Sequence, residues 1–198
     1  MSTAEKPTLA VKPGQKGVDP RGPRFGAGIT AVILLGLIAY ALSRDPSTGT
    51  TTGSDLTPDG ADVTWSSLSL LSVGERVALP STLVLALLVA LFAWGAFAGI
   101  QRHPYGLLFK ALVRPRLGPP SELEDPVPPT FAQGIGFVIT LVGLVLHVAG
   151  VPFALVTAAS FAFIAAFLNS VFGYCLGCQM YLLLVRAGIL GRKSAVTQ

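Results

Sequence analysis

Residues 153–184 read FALVTAASFAFIAAFLNSVFGYCLGCQMYLLL, a run without a single Asp, Glu, Lys or Arg. As one continuous helix at 1.5 Å per residue it would extend about 48 Å, well past the roughly 30 Å hydrocarbon core of a bilayer. A run of this length must tilt steeply, break, or emerge from the membrane. Asn169, Ser170, Gly173 and Gly177 interrupt the bulky residues, so the sequence places the break between Asn169 and Gly177. A membrane span over 153–174 is therefore expected, followed by a helix end and tail over 175–198. Both cysteines, Cys175 and Cys178, fall at the end of that span.

Working outward, 52% of the 198 residues are hydrophobic and 12% are charged, against roughly 25% charged in an ordinary soluble domain. Lipid must be the solvent for much of the chain. Further uncharged runs predict spans over 25–42, 77–100 and 131–149, and Gly150-Val151-Pro152 makes a tight hairpin into the last span. Ala39-Tyr40-Ala41 resembles a signal-peptide cleavage site, but the 24-residue polar leader and the long apolar run favour a retained span. The fold class that follows is all-α: a polytopic membrane protein whose four transmembrane helices pack as a small bundle. Short interfacial helices are expected over 63–73, with Trp65 at headgroup level, and over 105–113. The net charge of +4 flanks the apolar blocks rather than forming a patch interleaved with aromatics, so nucleic acid is not an expected partner.

Lys and Arg orient the spans. Lys6, Lys12, Lys16, Arg21 and Arg24 occupy the segment 1–24, whereas the loop 43–76 carries Arg44 and Arg76 beside Asp45, Asp55, Asp59, Asp62 and Glu75. The loop 101–130 holds Arg102, Lys110, Arg114 and Arg116, the hairpin holds none, and the tail holds Arg186, Arg192 and Lys193. Positive charge accumulates on the cytoplasmic side. Both termini and the basic Pro-rich loop 101–130 are thus expected in the cytoplasm of a cell (inner or plasma) membrane, with the polar loop 43–76 outside.

Three segments carry a resemblance: 18–25 (VDPRGPRF), 103–120 (HPYG running to RPRLGPP) and 169–181 with its Tyr-Cys-Leu-Gly-Cys ending. In order and spacing they are similar to the uncharacterised bacterial membrane family called domain of unknown function 4395, over about Val18 to Arg186. The resemblance implies no activity that can be carried over. Its genomic association with thioredoxin-like and rhodanese-like proteins implies thiol or sulfur chemistry with such a cytosolic partner.

The residues themselves support Cys175 and Cys178 as a redox pair. In such a pair one thiolate attacks a disulfide or persulfide and the second resolves the intermediate, which requires the two sulfurs to meet. Three positions apart on a helix they share a face. A helix restarting near Tyr174 would add its N-terminal dipole to Cys175. The competing reading is packing: cysteine is often a small buried apolar residue, and Gly173 with Gly177 has the G-x-x-x-G spacing of a helix contact. A closed zinc site would need two further ligands, and His103 is the one histidine on that side, so no metal or other cofactor is expected from this chain alone.

Arg21, Arg24, Arg102, His103, Arg114 and Arg116 make a second candidate set, for an anion such as sulfate or thiosulfate or for lipid headgroups. Among polar residues at depth, Gln133 lies near the inner end of the third span, Asn169 reads as a group that bridges helices, holds the break or orients the thiol, and His147 as a satisfied residue near the outer interface. Gly95 and Gly99 repeat the packing spacing. Three functions follow: a thiol–disulfide or sulfur relay, a non-catalytic assembly or recruitment subunit, and a small-anion transporter. The last would need a homo-oligomer to form a path, since no charge lies at the membrane centre.

Overall fold

The computed structural model describes residues 17–46, 48, 50–53, 63–120 and 122–190. Lys6, Lys12, Lys16, the acids of residues 54–62, and Arg192 and Lys193 lie outside the described residues. The fold is all-α apart from one short strand pair, and four helices are long and apolar enough to cross a membrane: α1 (Arg21–Arg44), α4 (Pro80–Phe97), α7 (Val127–Val148) and α8 (Ala154–Phe172).

Local chemistry sets the ends. The expected second span begins at Pro80 instead of Val77, because Pro lacks an N–H and drives the preceding residue out of the helical region. Leu79 is indeed extended, with φ −60° and ψ 138°. The residues before it form a separate helix, α3 (Val73–Ala78), closed by a reciprocal cap between Ser72 and Glu75. One expectation fails here. Val63–Ser66 is strand β2, paired antiparallel with β1 (Thr50–Gly53), and only Ser67–Leu70 (α2) is helical. The β-branched and aromatic run Val-Thr-Trp favours an extended backbone over the interfacial helix.

The chain divides into two packing units. One comprises Ile29–Phe92 and Gly136–Ile164. Its core gathers Leu34, Leu37 and Ala41 from α1, Leu85 and Leu88 from α4, and Leu155, Ala159 and Ala162 from α8, with Leu144 of α7 packed against them. The outward positions Val32, Leu35, Leu83, Leu87, Val142 and Phe161 are exposed and equally apolar. Helices apolar on both their buried and exposed faces have lipid as their solvent. Close approach comes from small residues: a Cβ on Gly143 would collide with that of Ala158. At the end of α7, Gly150 turns left-handed (φ 92°), and the Gly150 and Val151 amides return to the His147 and Leu146 carbonyls.

The other unit comprises Met1–Gly28, Ala93–Ile135 and Ala165–Gln198. In it α5 (Pro104–Leu108), a π turn over Phe109–Val113 and α6 (Arg114–Leu117) run on from one another past the expected end at Val113. Phe109 is buried against Gly22 and Phe25, with ring centroids 5.8 Å apart in the aromatic pair, and Tyr105 packs on Gly26. Leu107, Leu108, Leu112 and Leu117 remain exposed beside Lys110, Arg114 and Arg116, the composition of a segment lying along a membrane surface. Val18 and Glu124 exchange backbone hydrogen bonds of 2.9 Å each. The last helix, α9 (Leu176–Arg186), is separated from α8 by three residues.

Candidate functional site

The overlong apolar run breaks at Gly173. That residue is left-handed (φ 67°), its amide still reaching the Asn169 carbonyl at 3.1 Å, while the Tyr174 amide reaches Leu168. A glycine in this conformation ends a helix at no steric cost. Cys175 is then extended, and α9 starts at Leu176 with Cys175 as its N-cap: the Cys178 amide donates to Cys175 Sγ at 3.2 Å. The sulfur occupies the place usually taken by a Ser or Asp oxygen, facing the free amides and positive dipole end of a helix.

Cys175 and Cys178 are joined as a disulfide across this first turn, their Cα atoms 5.2 Å apart. The two sulfurs are not equivalent. Cys178 is buried (5% exposed) on the inner face of α9 with Leu182, whereas Cys175 is partly exposed. The turn is pressed against the start of α7: a Cβ on Gly177 would lie 2.6 Å from Ala132 Cα, and the Tyr181 and Phe131 rings are 5.6 Å apart.

The G-x-x-x-G packing reading needs both glycines on one continuous helix. Gly173 lies in the break, and Gly99 is likewise left-handed (φ 83°) beyond the end of α4. In each motif one glycine packs, Gly177 on Ala132 and Gly95 on the Gln133 side chain, while the other turns the chain.

The basic set separates. Arg24 sets its guanidinium directly against Gly173, where any Cβ would overlap it, and its charge is felt by Glu124. Burial raises the Glu124 carboxyl above its ordinary range, and Arg24 partly offsets this. Arg21 clasps both oxygens of Asp19, at 2.9 and 2.8 Å, and donates onward to the Leu117 and Gly118 carbonyls. Most of its donors are therefore committed within the chain. His103 is buried, accepts the Tyr105 amide at Nδ1 and caps α5, so its ring serves the fold rather than a surface anion site. Arg102, Arg114 and Arg116 are exposed. Of the six residues it is Arg24 that the structure brings to the helix break beside the cysteines. Among the described residues no three His, Cys, Asp or Glu side chains converge as a metal cluster.

The Asp19 clasp makes stability pH-dependent. The Arg21 side-chain hydrogen bond holds the Asp19 carboxyl below its usual 3.8. Its stabilising effect is present above that value and is lost as pH falls through the lowered one. Asp19→Asn should therefore reduce thermal stability in detergent at neutral pH, and the gap to the wild type should close in acid below the ordinary Asp range.

A polar cluster that sequence reasoning missed lies in the other unit. Ser81 Oγ hydrogen-bonds Asp45, and Thr82 Oγ1 is 2.9 Å from His147 Nε2, all four residues being buried. Arg76 donates to the Val148, Leu68 and Ser69 carbonyls at 3.0, 3.0 and 3.2 Å. His147, at the end of α7 as expected, is fully buried, with Nδ1 making no hydrogen bond among the described residues. No local spacing signals this cluster, because its members come from the ends of α1, α3, α4 and α7.

No curated protein and no solved structure matches the chain significantly. A family model described as a domain of unknown function, DUF4395, matches residues 18–186, taking in the basic N-terminal turn, the 103–120 segment and the cysteine pair. The chain belongs to the DUF4395 family.

Proposed function

We propose that this protein is a multi-pass membrane thiol–disulfide centre, with Cys175 as the attacking and Cys178 as the resolving sulfur. The observation that carries this reading is the asymmetric pair on the first turn of α9: Cys175 is partly exposed and caps the helix, while Cys178 is buried and bonded to it. Opening the disulfide leaves charge on a sulfur that already faces helix N–H groups, which favours its thiolate. The flanking Arg24 adds positive charge. Lipid headgroups are the proposed ligands of Arg102, Arg114 and Arg116, beside the exposed leucines of residues 107–117.

The pair works, in this proposal, on the cytoplasmic side of the cell membrane, exchanging with a soluble dithiol protein of thioredoxin-like or rhodanese-like type. Charge supports that placement. Within its own unit the pair shares the described residues with Arg21, Arg24, Arg102, Lys110, Arg114, Arg116 and Arg186, against Asp19, Glu122, Glu124 and Asp125.

Cys178→Ser removes the resolving sulfur and should trap a mixed disulfide on Cys175, visible by mass as a covalent adduct. Cys175→Ser should trap far less. An empty Cys178→Ser trap in native membranes, with partner co-purification unchanged in the double serine variant, would replace this reading with that of a non-catalytic assembly subunit.

A further inference from the structure

We infer that the electron acceptor of this disulfide centre is a membrane quinone, so that the protein passes electrons from a soluble dithiol into the lipid phase; the inference rests on the thiol–disulfide reading above. A dithiol exposed to a reducing compartment stays reduced unless an oxidant reaches it. The structure bears on where that oxidant comes from. Cys175 follows a membrane-length helix by three residues and precedes a second apolar helix whose first charged residue is Arg186. The side chains around the break that remain uncovered are Val171, Phe172, Tyr174, Met180 and Leu183, all hydrophobic or amphipathic. A cysteine pair in this setting is open to a lipid-soluble oxidant as well as to a soluble dithiol.

The same residues specify more than an apolar molecule. Phe172 and Tyr174 flank Gly173 with exposed rings at the end of a membrane-length helix, offering flat surfaces of the kind that gather at a bilayer interface. Arg24 places its guanidinium charge at Gly173, two residues before Cys175. A planar ring that becomes an oxyanion on reduction fits a site with aromatic faces, a nearby guanidinium and an accessible sulfur. Quinones are the lipid-soluble two-electron carriers of that chemistry.

The step balances. The Cys175 thiolate adds to the quinone ring, forming a C–S bond and pushing an electron pair onto a ring oxygen. The Cys178 thiolate then attacks Cys175 Sγ, the S–S bond forms, and the C–S bond breaks with its electrons remaining on the ring. The hydroquinone dianion takes up two protons, matching the two lost by the thiols. Two thiols are oxidised and one quinone is reduced. A soluble dithiol restores the pair by exchange.

The test uses the full-length protein in proteoliposomes, reduced, freed of reductant and kept under argon. A fully ring-substituted, lipid-soluble benzoquinone with a decyl chain is the probe, followed by its absorbance and by thiol alkylation. One quinone should disappear per disulfide formed, Cys175→Ser should abolish the reaction, and a sulfonated water-soluble quinone should react about tenfold more slowly or less. Arg24→Gln should slow the quinone step about tenfold, and should slow exchange with a soluble aromatic disulfide by clearly less than that. If the wild-type dithiol exchanges with the soluble disulfide but stays reduced with the decyl quinone, the quinone inference falls and the exchange reading stands. If it does neither, both fall.

Discussion

Gly177→Ala should destabilise the protein by about 3 kcal/mol, combining overpacking of a close contact with the displacement of a backbone that cannot rotate away. The added methyl would lie 2.6 Å from Ala132 Cα and 2.5 Å from its Cβ, so the helices α7 and α9 must move apart. Their separation would disturb the turn holding both sulfurs, as well as the 5.6 Å Phe131–Tyr181 contact. Loss of disulfide formation should therefore accompany the fall in thermal stability, measured by melting in detergent and by alkylation. Ala132→Gly removes the Cβ contact but leaves the 2.6 Å approach to the Cα, so the double variant should recover only part of the loss, and glycine within a helix takes back up to about 1 kcal/mol of that. A single Gly177→Ala variant that melts with the wild type would show that α9 does not press on α7. The contrast with Gly173 is informative. There the obstruction is the tip of a mobile arginine, so alanine costs chiefly the left-handed backbone, about 1–2 kcal/mol.

Arg76→Ala should cost a comparable amount, about 3 kcal/mol, since hydrogen bonds to a charged group are worth about 1.5–3 kcal/mol and the three made here share one side chain. Arg76 donates to the Val148 carbonyl at the end of α7 while binding Leu68 and Ser69, so it fastens the short helices preceding α4 to the last turn of α7. Arg76→Lys should recover little. An ammonium is a point charge and lacks the planar fork that reaches three separated oxygens. The measurement is thermal unfolding in detergent with exchange protection of the Val73–Ala78 amides. Equal protection in wild type and Arg76→Ala would remove this role.

These two residues also mark how far the sequence could be read. The four long helices were legible because an uncharged run of about 18 residues or more has few fates other than crossing a membrane. The break was legible for the same reason. A 32-residue run had to be interrupted, and the interval from Asn169 to Gly177 contains the observed turn at Gly173 and the new helix at Leu176. The cysteine pair was visible by spacing. What the spacing could not reveal was the backbone conformation that divides the labour between glycines four apart. Gly173 and Gly99 turn the chain where a G-x-x-x-G motif would have them pack, and φ leaves no trace in sequence.

Residues brought together from distant segments were harder still. Arg76 was read as one of two positive charges in an acidic loop, and Ser81 and Thr82 fell unremarked within the expected span 77–100. Their joint involvement with Asp45 and His147 depends on packing among α1, α4 and α7, which no periodicity encodes. His103 illustrates the opposite error. A histidine before Pro104 in a basic loop looks available for an anion, but the helix beginning at Pro104 needs a cap, and the imidazole provides it.

The contact between Arg24 and Gly173 bears on how the protein is made. The two residues are 149 positions apart (173 − 24). At ordinary rates of synthesis the arginine leaves the ribosome about 7 to 30 s before its partner glycine exists. Throughout that interval the first helix lacks the neighbour against which its guanidinium will rest. The cysteine pair is consequently a late product of biogenesis, completed when the end of the chain returns to its beginning, and a chain truncated before α9 would keep Gly173 and Cys175 but lack Cys178 and with it the disulfide.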